Sequence, residues 1–136
     1  DKNTYIRNPC MVPFETPSTF DLPAHAAPLG VAFVPPGSQW PQEYWHDLLI
    51  AYHGSWNKSD PEGYEVVRLP LDDRGNYSGV EATGVAQTQD LVSGWLTKDD
   101  KALGRPVDLL ALPDGTLLIS DDHAGVVYRL QAPSGK

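Results

Sequence analysis

Positive charge is scarce in this sequence. Its 136 residues include 10 Lys and Arg against 18 Asp and Glu, so the formal net charge at pH 7 is −8. Nucleic acids and anionic membrane surfaces are bound mainly through clusters of basic residues. We therefore expect neither a nucleic acid nor a membrane as a partner.

Cysteine and long apolar segments are scarce as well. Cys10 is the single cysteine, which excludes a disulfide within the chain. No apolar run approaches the roughly 20 residues that a membrane-spanning helix requires. The sequence starts without Met and without a secretory signal. From this we expect a processed product or a piece of a longer protein.

The sequence does contain many short apolar runs, separated by turns rich in Pro and Gly. This arrangement predicts an all-β fold. The expected strands cover residues 4–7, 10–14, 31–34, 47–52, 64–69, 79–89, 105–112, 116–120 and 126–130, with a further short strand or turn at 91–96. Residues 38–46 are expected to form a long connection or one helical turn.

The order of these elements repeats along the chain. An apolar strand, a turn with Pro and Gly, a second strand, a polar loop and a third strand occur within residues 31–69 and again within residues 105–130. Repeated up-and-down strands of this kind are typical of β-propeller blades. We therefore predict two blades, each an antiparallel up-and-down sheet. A β-meander within a sandwich is the alternative.

A polar loop of eleven residues, 53–63, separates two of the predicted strands. A plain hairpin needs only about two to five connecting residues, and longer loops with polar and aromatic side chains often bind ligands. The loop is therefore a candidate binding loop. The alternative is a solvated excursion in which Trp56 packs back onto the sheet.

The up-and-down order also predicts where the polar residues lie, because successive connections alternate between the two ends of the strands. The end where the first strand begins is called the top here. It is predicted to collect His25, the 53–63 loop, residues 101–105 and residues 121–123, as the mouth of a ligand site over a propeller axis would require. His46 is predicted to lie at the opposite end, the bottom, with a structural role.

Five motifs occur in order between about residues 20 and 130. They are His25-Ala-Ala-Pro-Leu-Gly30, His53-Gly-Ser-Trp-Asn-Lys58, Gly63-Tyr64-x-Val-Val-Arg68, Gly104-Arg-Pro-Val107 with Leu112-Pro-Asp-Gly115, and Ser120-Asp-Asp122. In this order they resemble the glucose/sorbosone dehydrogenase family, and the sorbosone dehydrogenase branch most of all. The resemblance implies a six-bladed propeller of four-stranded blades that holds pyrroloquinoline quinone (PQQ) and calcium. It also implies oxidation of the anomeric or aldehyde carbon of a sugar by hydride transfer to PQQ.

A propeller of that family needs about three times this chain length. We therefore expect a single partial propeller domain over residues 1–136, from the C-terminal part of such an enzyme. Residues 1–20 are expected to form an outer strand and lead-in, 21–97 the first blade and 98–136 the second. The remainder of a longer chain, or self-assembly, would close the ring. The resemblance implies that the catalytic histidine and most calcium ligands lie in earlier blades, for which we expect no counterpart in these residues.

Site residues follow from the resemblance combined with charge. PQQ is a planar tricarboxylate, so it requires cations and flat side chains. We expect Arg105, His53, Lys58 and Trp56 to contact the cofactor, and His25 and Asp122 to contact the sugar. Turn capping is the alternative for Asp122, and loop bracing for Arg105. The sequence itself contains no motif with the spacing of metal ligands.

Two functions of different classes compete at this point. One is a fragment of a quinoprotein sugar dehydrogenase with a small sugar as substrate, which the resemblance places in the periplasm or outside the cell. The other is a non-catalytic carbohydrate-binding or assembly module built from two blades. A calcium-dependent lactonase on a propeller ranks last, because the sequence lacks a carboxylate-rich calcium site.

Overall fold

The chain folds into two antiparallel sheets joined by loops. The computed structural model describes residues 18–79 and 87–131. The strands are β1 (Pro28–Phe33), β2 (Leu48–Tyr52), β3 (Glu65–Leu69), β4 (Gln89–Val92), β5 (Pro106–Ala111), β6 (Thr116–Asp121) and β7 (Val126–Gln131), with one 3-10 turn at Gln42–Tyr44. The all-β prediction is confirmed, and the 3-10 turn lies within the predicted connection at 38–46.

Each sheet keeps its strands in chain order, as an up-and-down blade requires. The first sheet has the order β1-β2-β3-β4, and the second has β5-β6-β7. Every neighbouring pair is antiparallel, for example Ile50 opposite Val67 and Ile119 opposite Tyr128. The described part of the second sheet therefore has three strands rather than the four expected for a complete blade.

The fourth strand of the first sheet begins at the last residue of the strand predicted at 79–89 and extends into the short strand or turn predicted at 91–96. We expected it at 79–89, whereas β4 covers Gln89–Val92 and pairs Gln89 with Arg68 and Val92 with Val66. This strand is at the edge of the sheet, and Gln89 and Asp90 are exposed. Because its first two residues are polar, β4 does not stand out in the sequence as an apolar run. Residues 80–86, and the predicted strands at 4–7 and 10–14, lie outside the described residues.

The two sheets converge at their first strands. A Cβ placed on Gly30 of β1 would lie 2.4 Å from Asp108 Cα and 2.6 Å from Val107 O in β5, so only glycine allows this approach. At the other edge of the sheets, Leu91 and Val92 of β4 face Leu130 and Gln131 of β7 across an open groove. The sheets thus diverge outward from the inner strands, as propeller blades do.

The main core lies between the two sheets. Its buried members come from both sheets and from the connections between strands: Val34, Trp40, Leu49, Ala51, Tyr64, Val66, Trp95, Leu109, Leu117 and Ile119. A second cluster covers the other face of the first sheet, where Ile50, Tyr52, Val67 and Leu69 pack with Phe20 and Leu22. Burial of these side chains from water supplies most of the drive for folding.

The bottom connections hold the sheets together from below. Gln39 N donates to Pro113 O at 2.8 Å, and Trp40 Nε1 donates to Leu112 O at 3.1 Å. The predicted alternation of the connections is confirmed by the strand pairing, which puts His46 at the bottom. His46 has a positive φ of 74° there, and its backbone N–H donates to Val34 O at 3.1 Å.

A buried ion pair stabilises the lower end of the first sheet. Asp47 is 2% exposed, accepts from Arg68 Nη1 at 2.5 Å and also accepts from Leu71 N at 3.1 Å. Burial raises the pKa of the Asp47 carboxyl, against the opposing effect of Arg68. The Arg68 guanidinium also lies over the Tyr44 ring, 4.3 Å from its centroid.

Candidate functional site

The 53–63 loop at the top is held in place by backbone hydrogen bonds. His53 N donates to Ala27 O and Gly54 N to Ala26 O, both at 3.0 Å, which ties the loop to the segment before β1. Within the loop, Ser55 N donates to Glu62 O at 2.9 Å, and Glu62 N donates to Ser55 Oγ at 3.1 Å. The loop is therefore an ordered platform for its side chains.

Arg105 reaches from the second sheet into this loop of the first. Its Nη1 donates to Gly54 O and its Nη2 to Ser55 O, each at 3.2 Å. Nη1 also lies 3.5 Å from His53 Nδ1. The structure thus shows Arg105 bracing the loop across the blade boundary, while its predicted role at PQQ stays a prediction.

Tyr64 completes this contact, and the sequence analysis missed it. Its hydroxyl accepts from Arg105 Nη2 at 3.0 Å and donates to Ser55 O. The Arg105 guanidinium also lies 4.9 Å from the centroid of the Tyr64 ring. Tyr64 was assigned only to a strand. Its positive φ of 65° and its contact with Arg105 are visible only in the folded chain.

His53 and Asp122 meet across the same boundary. His53 Nε2 lies 3.0 Å from Asp122 Oδ1, with the imidazole 22% and the carboxylate 65% exposed. The hydrogen bond with His53 lowers the pKa of the Asp122 carboxyl below its ordinary value. A histidine and a carboxylate 69 positions apart therefore form one exposed acid–base pair at the mouth.

Asp121, the neighbour of Asp122, has a different environment. It is 3% exposed, and its Oδ1 accepts from Arg105 N at 2.9 Å and from Ala124 N at 2.8 Å. Its Oδ2 accepts from the Tyr128 hydroxyl at 3.2 Å. Asp121 therefore caps the turn between β6 and β7 and positions the backbone of Arg105.

The other predicted site residues lie beside this cluster. Lys58 forms an ion pair with Glu62 of its own loop, and the two side chains are 35% and 34% exposed. Trp56 is 84% exposed, so it does not pack back onto the sheet. His25 and Trp56 line a common cleft with Asn57. The structure thus brings Arg105, His53 and Asp122 together and places His25 with Trp56 next to them.

The donor set fits the carboxylate side of PQQ. Arg105 and His53 meet at the top, and Lys58 belongs to the same loop as His53. The partly exposed Lys58–Glu62 pair contributes little stability that an incoming carboxylate would have to overcome. Residues 18–79 and 87–131 offer no comparable set of ligands for calcium. There, no three His, Cys, Asp or Glu side chains lie close enough to share a metal ion.

Comparison with known proteins defines the family. A family model described as TrAA12-like matches residues 2–133. The chain belongs to the TrAA12-like family. An uncharacterized protein of Borreliella burgdorferi is 40% identical over 115 residues, which cover 84% of this chain and 28% of that protein. The pyrroloquinoline quinone-dependent pyranose dehydrogenase of Coprinopsis cinerea is 32% identical over 127 residues, covering 86% of this chain and 16% of the enzyme.

Solved structures of the family share the fold. The holo form of the pyranose dehydrogenase PQQ domain from Coprinopsis cinerea matches with a TM-score of 0.65 and 28% identity, over 85% of this chain and 29% of that chain. The calcium structure of the Trichoderma reesei AA12 enzyme matches with a TM-score of 0.62 and 25% identity, over 81% and 25%. This TrAA12-like chain thus spans less than a third of each of these relatives.

These matches confirm the predicted fold class and the kinship with PQQ-dependent sugar dehydrogenases. The finer assignment to the sorbosone dehydrogenase branch stays a prediction, as do the blade boundaries. Across the parts of the chain that the structure describes, no helix is long and apolar enough to cross a membrane.

Proposed function

We propose that this chain forms part of the cofactor and sugar site of a PQQ-dependent sugar dehydrogenase. The observation that carries the proposal is the convergence of Arg105 from the second sheet with His53 of the first at the top of both blades. A TrAA12-like chain with this arrangement would present cations to the carboxylates of PQQ. The pyranose dehydrogenase of Coprinopsis cinerea, a relative named for this cofactor, supports the choice.

Each residue has a proposed task. Lys58 binds a carboxylate of PQQ, and Arg105 adds its positive charge beside the cofactor while its terminal N–H groups hold the loop. His53, held by Asp122, offers a hydrogen bond at the mouth. Trp56 offers a flat surface, and His25 and Asp122 contact the sugar hydroxyls. The chemistry that PQQ supplies when bound is hydride acceptance from the anomeric or aldehyde carbon of the sugar.

The remaining parts of the proposal concern the complete protein. We place the chain in the sorbosone dehydrogenase branch, as the last two blades of a six-bladed propeller, because the motifs occur in that order. The histidine base and the calcium ligands would come from the remainder of a longer chain or from further copies. A periplasmic or secreted location follows from the proposed kind of enzyme.

Calorimetric titration with PQQ tests the cofactor site. Lys58→Gln removes the ammonium group that would bind a carboxylate of PQQ. We expect PQQ affinity to fall roughly tenfold, which is about 1.4 kcal/mol. Lys98→Gln, an equal loss of charge at an exposed residue, is the matched control and should bind like the unchanged chain. Equal affinities for the two variants, or no PQQ binding by the unchanged chain, would contradict the proposal.

The second candidate is a non-catalytic carbohydrate-binding module, and the 84% exposure of Trp56 favours it. The two functions differ in what they require. The enzyme needs PQQ for sugar-dependent dye reduction, whereas the module binds saccharides without PQQ and reduces no dye. Dye reduction with aldoses by the complete protein or assembly, after addition of PQQ and calcium, separates them.

A further inference from the structure

Trp56 is the most exposed of the large apolar side chains in the described residues. It is 84% exposed, whereas Trp40 and Trp95 are 5% and 7% exposed. A mobile loop does not account for this, because Gly54 and Ser55 just before it are held by Arg105 and by Glu62. An indole left in water beside an anchored backbone is typical of a binding surface.

The indole borders a cleft of about 580 Å³ at the top of the first sheet. One wall is formed by residues 20–25 and 27 before β1 and by Pro28 at its start, and the other by Trp56 and Asn57 of the loop. This volume lies within the range of about 300–1,000 Å³ that is usual for small-ligand sites. None of its lining residues belongs to the cluster of Arg105, His53 and Asp122, so the cleft is a separate site.

The wall before β1 is held in an unusual backbone conformation. His25 and Ala27 have positive φ values of 69° and 54°, which non-glycine residues rarely adopt. The carbonyls of Ala26 and Ala27 accept from Gly54 N and His53 N, so the wall is fixed to the start of the loop that carries Trp56. Strain retained beside a preformed cleft is a known feature of binding sites.

The lining chemistry indicates the ligand class. Trp56 offers an apolar plane, while Asp21, His25 and Asn57 offer a carboxylate, an imidazole and an amide. A pyranose ring has the complementary form, since its C–H groups make an apolar face and its hydroxyls project from the rim. The carboxylate of Asp21 and the net charge of −8 oppose a phosphorylated ligand.

We propose that this cleft binds one ring of a neutral oligosaccharide, with the ring stacked on Trp56 and its hydroxyls bound by Asp21, His25 and Asn57. The inference rests on the proposed function, because it names the sugar dehydrogenase substrate as an oligosaccharide. The reacting unit lies at the neighbouring mouth beside Asp122, where the proposed function places the sugar, and the cleft holds another unit of the same oligosaccharide. Trp56 then serves the sugar rather than the cofactor.

Titration of the full chain with glucose, cellotriose, maltotriose and adenosine tests the site in the absence of PQQ. Binding is followed through the indole N–H resonance of Trp56 and by calorimetry. We expect at least one trisaccharide to bind at least tenfold more tightly than glucose, and Trp56→Ala to weaken it at least tenfold. Trp56→Phe should retain part of the affinity, because it keeps an aromatic face.

Phe33→Ala is the matched control, since Phe33 is 62% exposed on the face of β1 and outside the cleft. It should bind like the unchanged chain. Asn57→Ala, which removes only an exposed amide, gives a second variant at the site and should also weaken binding. No saccharide binding, binding of adenosine alone, or equal affinity of Trp56→Ala and Phe33→Ala would overturn the inference. PQQ titration of Lys58→Gln is a separate readout, so either proposal can fail while the other holds.

Discussion

His53 and Asp122 are joined by a hydrogen bond between side chains on different sheets. Their pairing lowers the pKa of the Asp122 carboxyl, so the folded state holds its proton less tightly than the unfolded chain does. The stabilisation is therefore present above the ordinary pKa of Asp122, 3.8. It is lost as the pH falls through the lower value in the folded state.

The pKa of Asp122 should depend on His53. In His53→Ala we expect it to rise toward its ordinary value, because the hydrogen bond is the largest cause of the shift. NMR titration of the side-chain carboxyl carbon measures this directly. His123→Ala, which removes the exposed histidine next in sequence, should leave it unchanged. An Asp122 pKa that is the same in His53→Ala and the unchanged chain would show that the pair does not form.

At the scale of elements, the 53–63 loop depends on glycine where it leaves β2. Gly54 has a φ of 95°, and a Cβ there would lie 2.5 Å from the Tyr64 ring. Gly63 has a φ of 86°, and its Cβ would lie 2.9 Å from Ala26 O. Both glycines therefore permit the close packing that brings Tyr64 under Arg105.

Gly54→Ala should destabilise the protein more than Gly37→Ala. Both residues have positive φ, which costs a non-glycine residue about 1–2 kcal/mol, but Gly37 has nothing within 4 Å of its added Cβ. The clash with Tyr64 adds about 1–3 kcal/mol of overpacking at Gly54 alone. Urea unfolding of both variants measures the difference. Equal losses would mean that backbone conformation, and not the Tyr64 contact, makes glycine necessary.

At the scale of the whole molecule, each of the two lateral faces of the blade pair has an exposed apolar part. On β1, Leu29, Val31 and Phe33 are 53%, 55% and 62% exposed, and on the second sheet Leu110 and Val127 are 53% and 65% exposed. Such faces are typical of surfaces that pack against another protein segment. In a propeller they would contact the neighbouring blades.

We expect the isolated 136-residue chain to self-associate through these faces. Val127→Lys places a charge on one of them and should shift the particle toward the monomer mass of 14.9 kDa. Sedimentation equilibrium measures the mass. Ser59→Lys, at the exposed tip of the top loop, is the control for the added charge and should associate like the unchanged chain. A monomer at all concentrations would contradict this expectation.

Local patterns in the sequence were sufficient for the strands with apolar cores and for the order of their connections. β2, β3, β6 and β7 all lie close to their predicted positions. β2 and β6 are largely buried on both faces and are therefore apolar along most of their length, whereas β3 and β7 were visible as runs of Val and Leu with polar residues between them. β4 was predicted only in part, by the strand at 79–89 and the short strand or turn at 91–96, because an edge strand is defined by its pairing with β3 and not by its own side chains. The top location of His53, Arg105 and Asp122 also followed from strand alternation alone.

The sequence by itself determined the blade pattern, the family resemblance and the residues that gather at the top. Only the tertiary structure decided what those residues contact. Arg105 hydrogen-bonds carbonyls of Gly54 and Ser55, backbone groups that every residue carries and that no motif can reveal. The cleft beside Trp56 likewise arises from two segments about 30 positions apart in sequence, and their distance in space is set by how the chain packs.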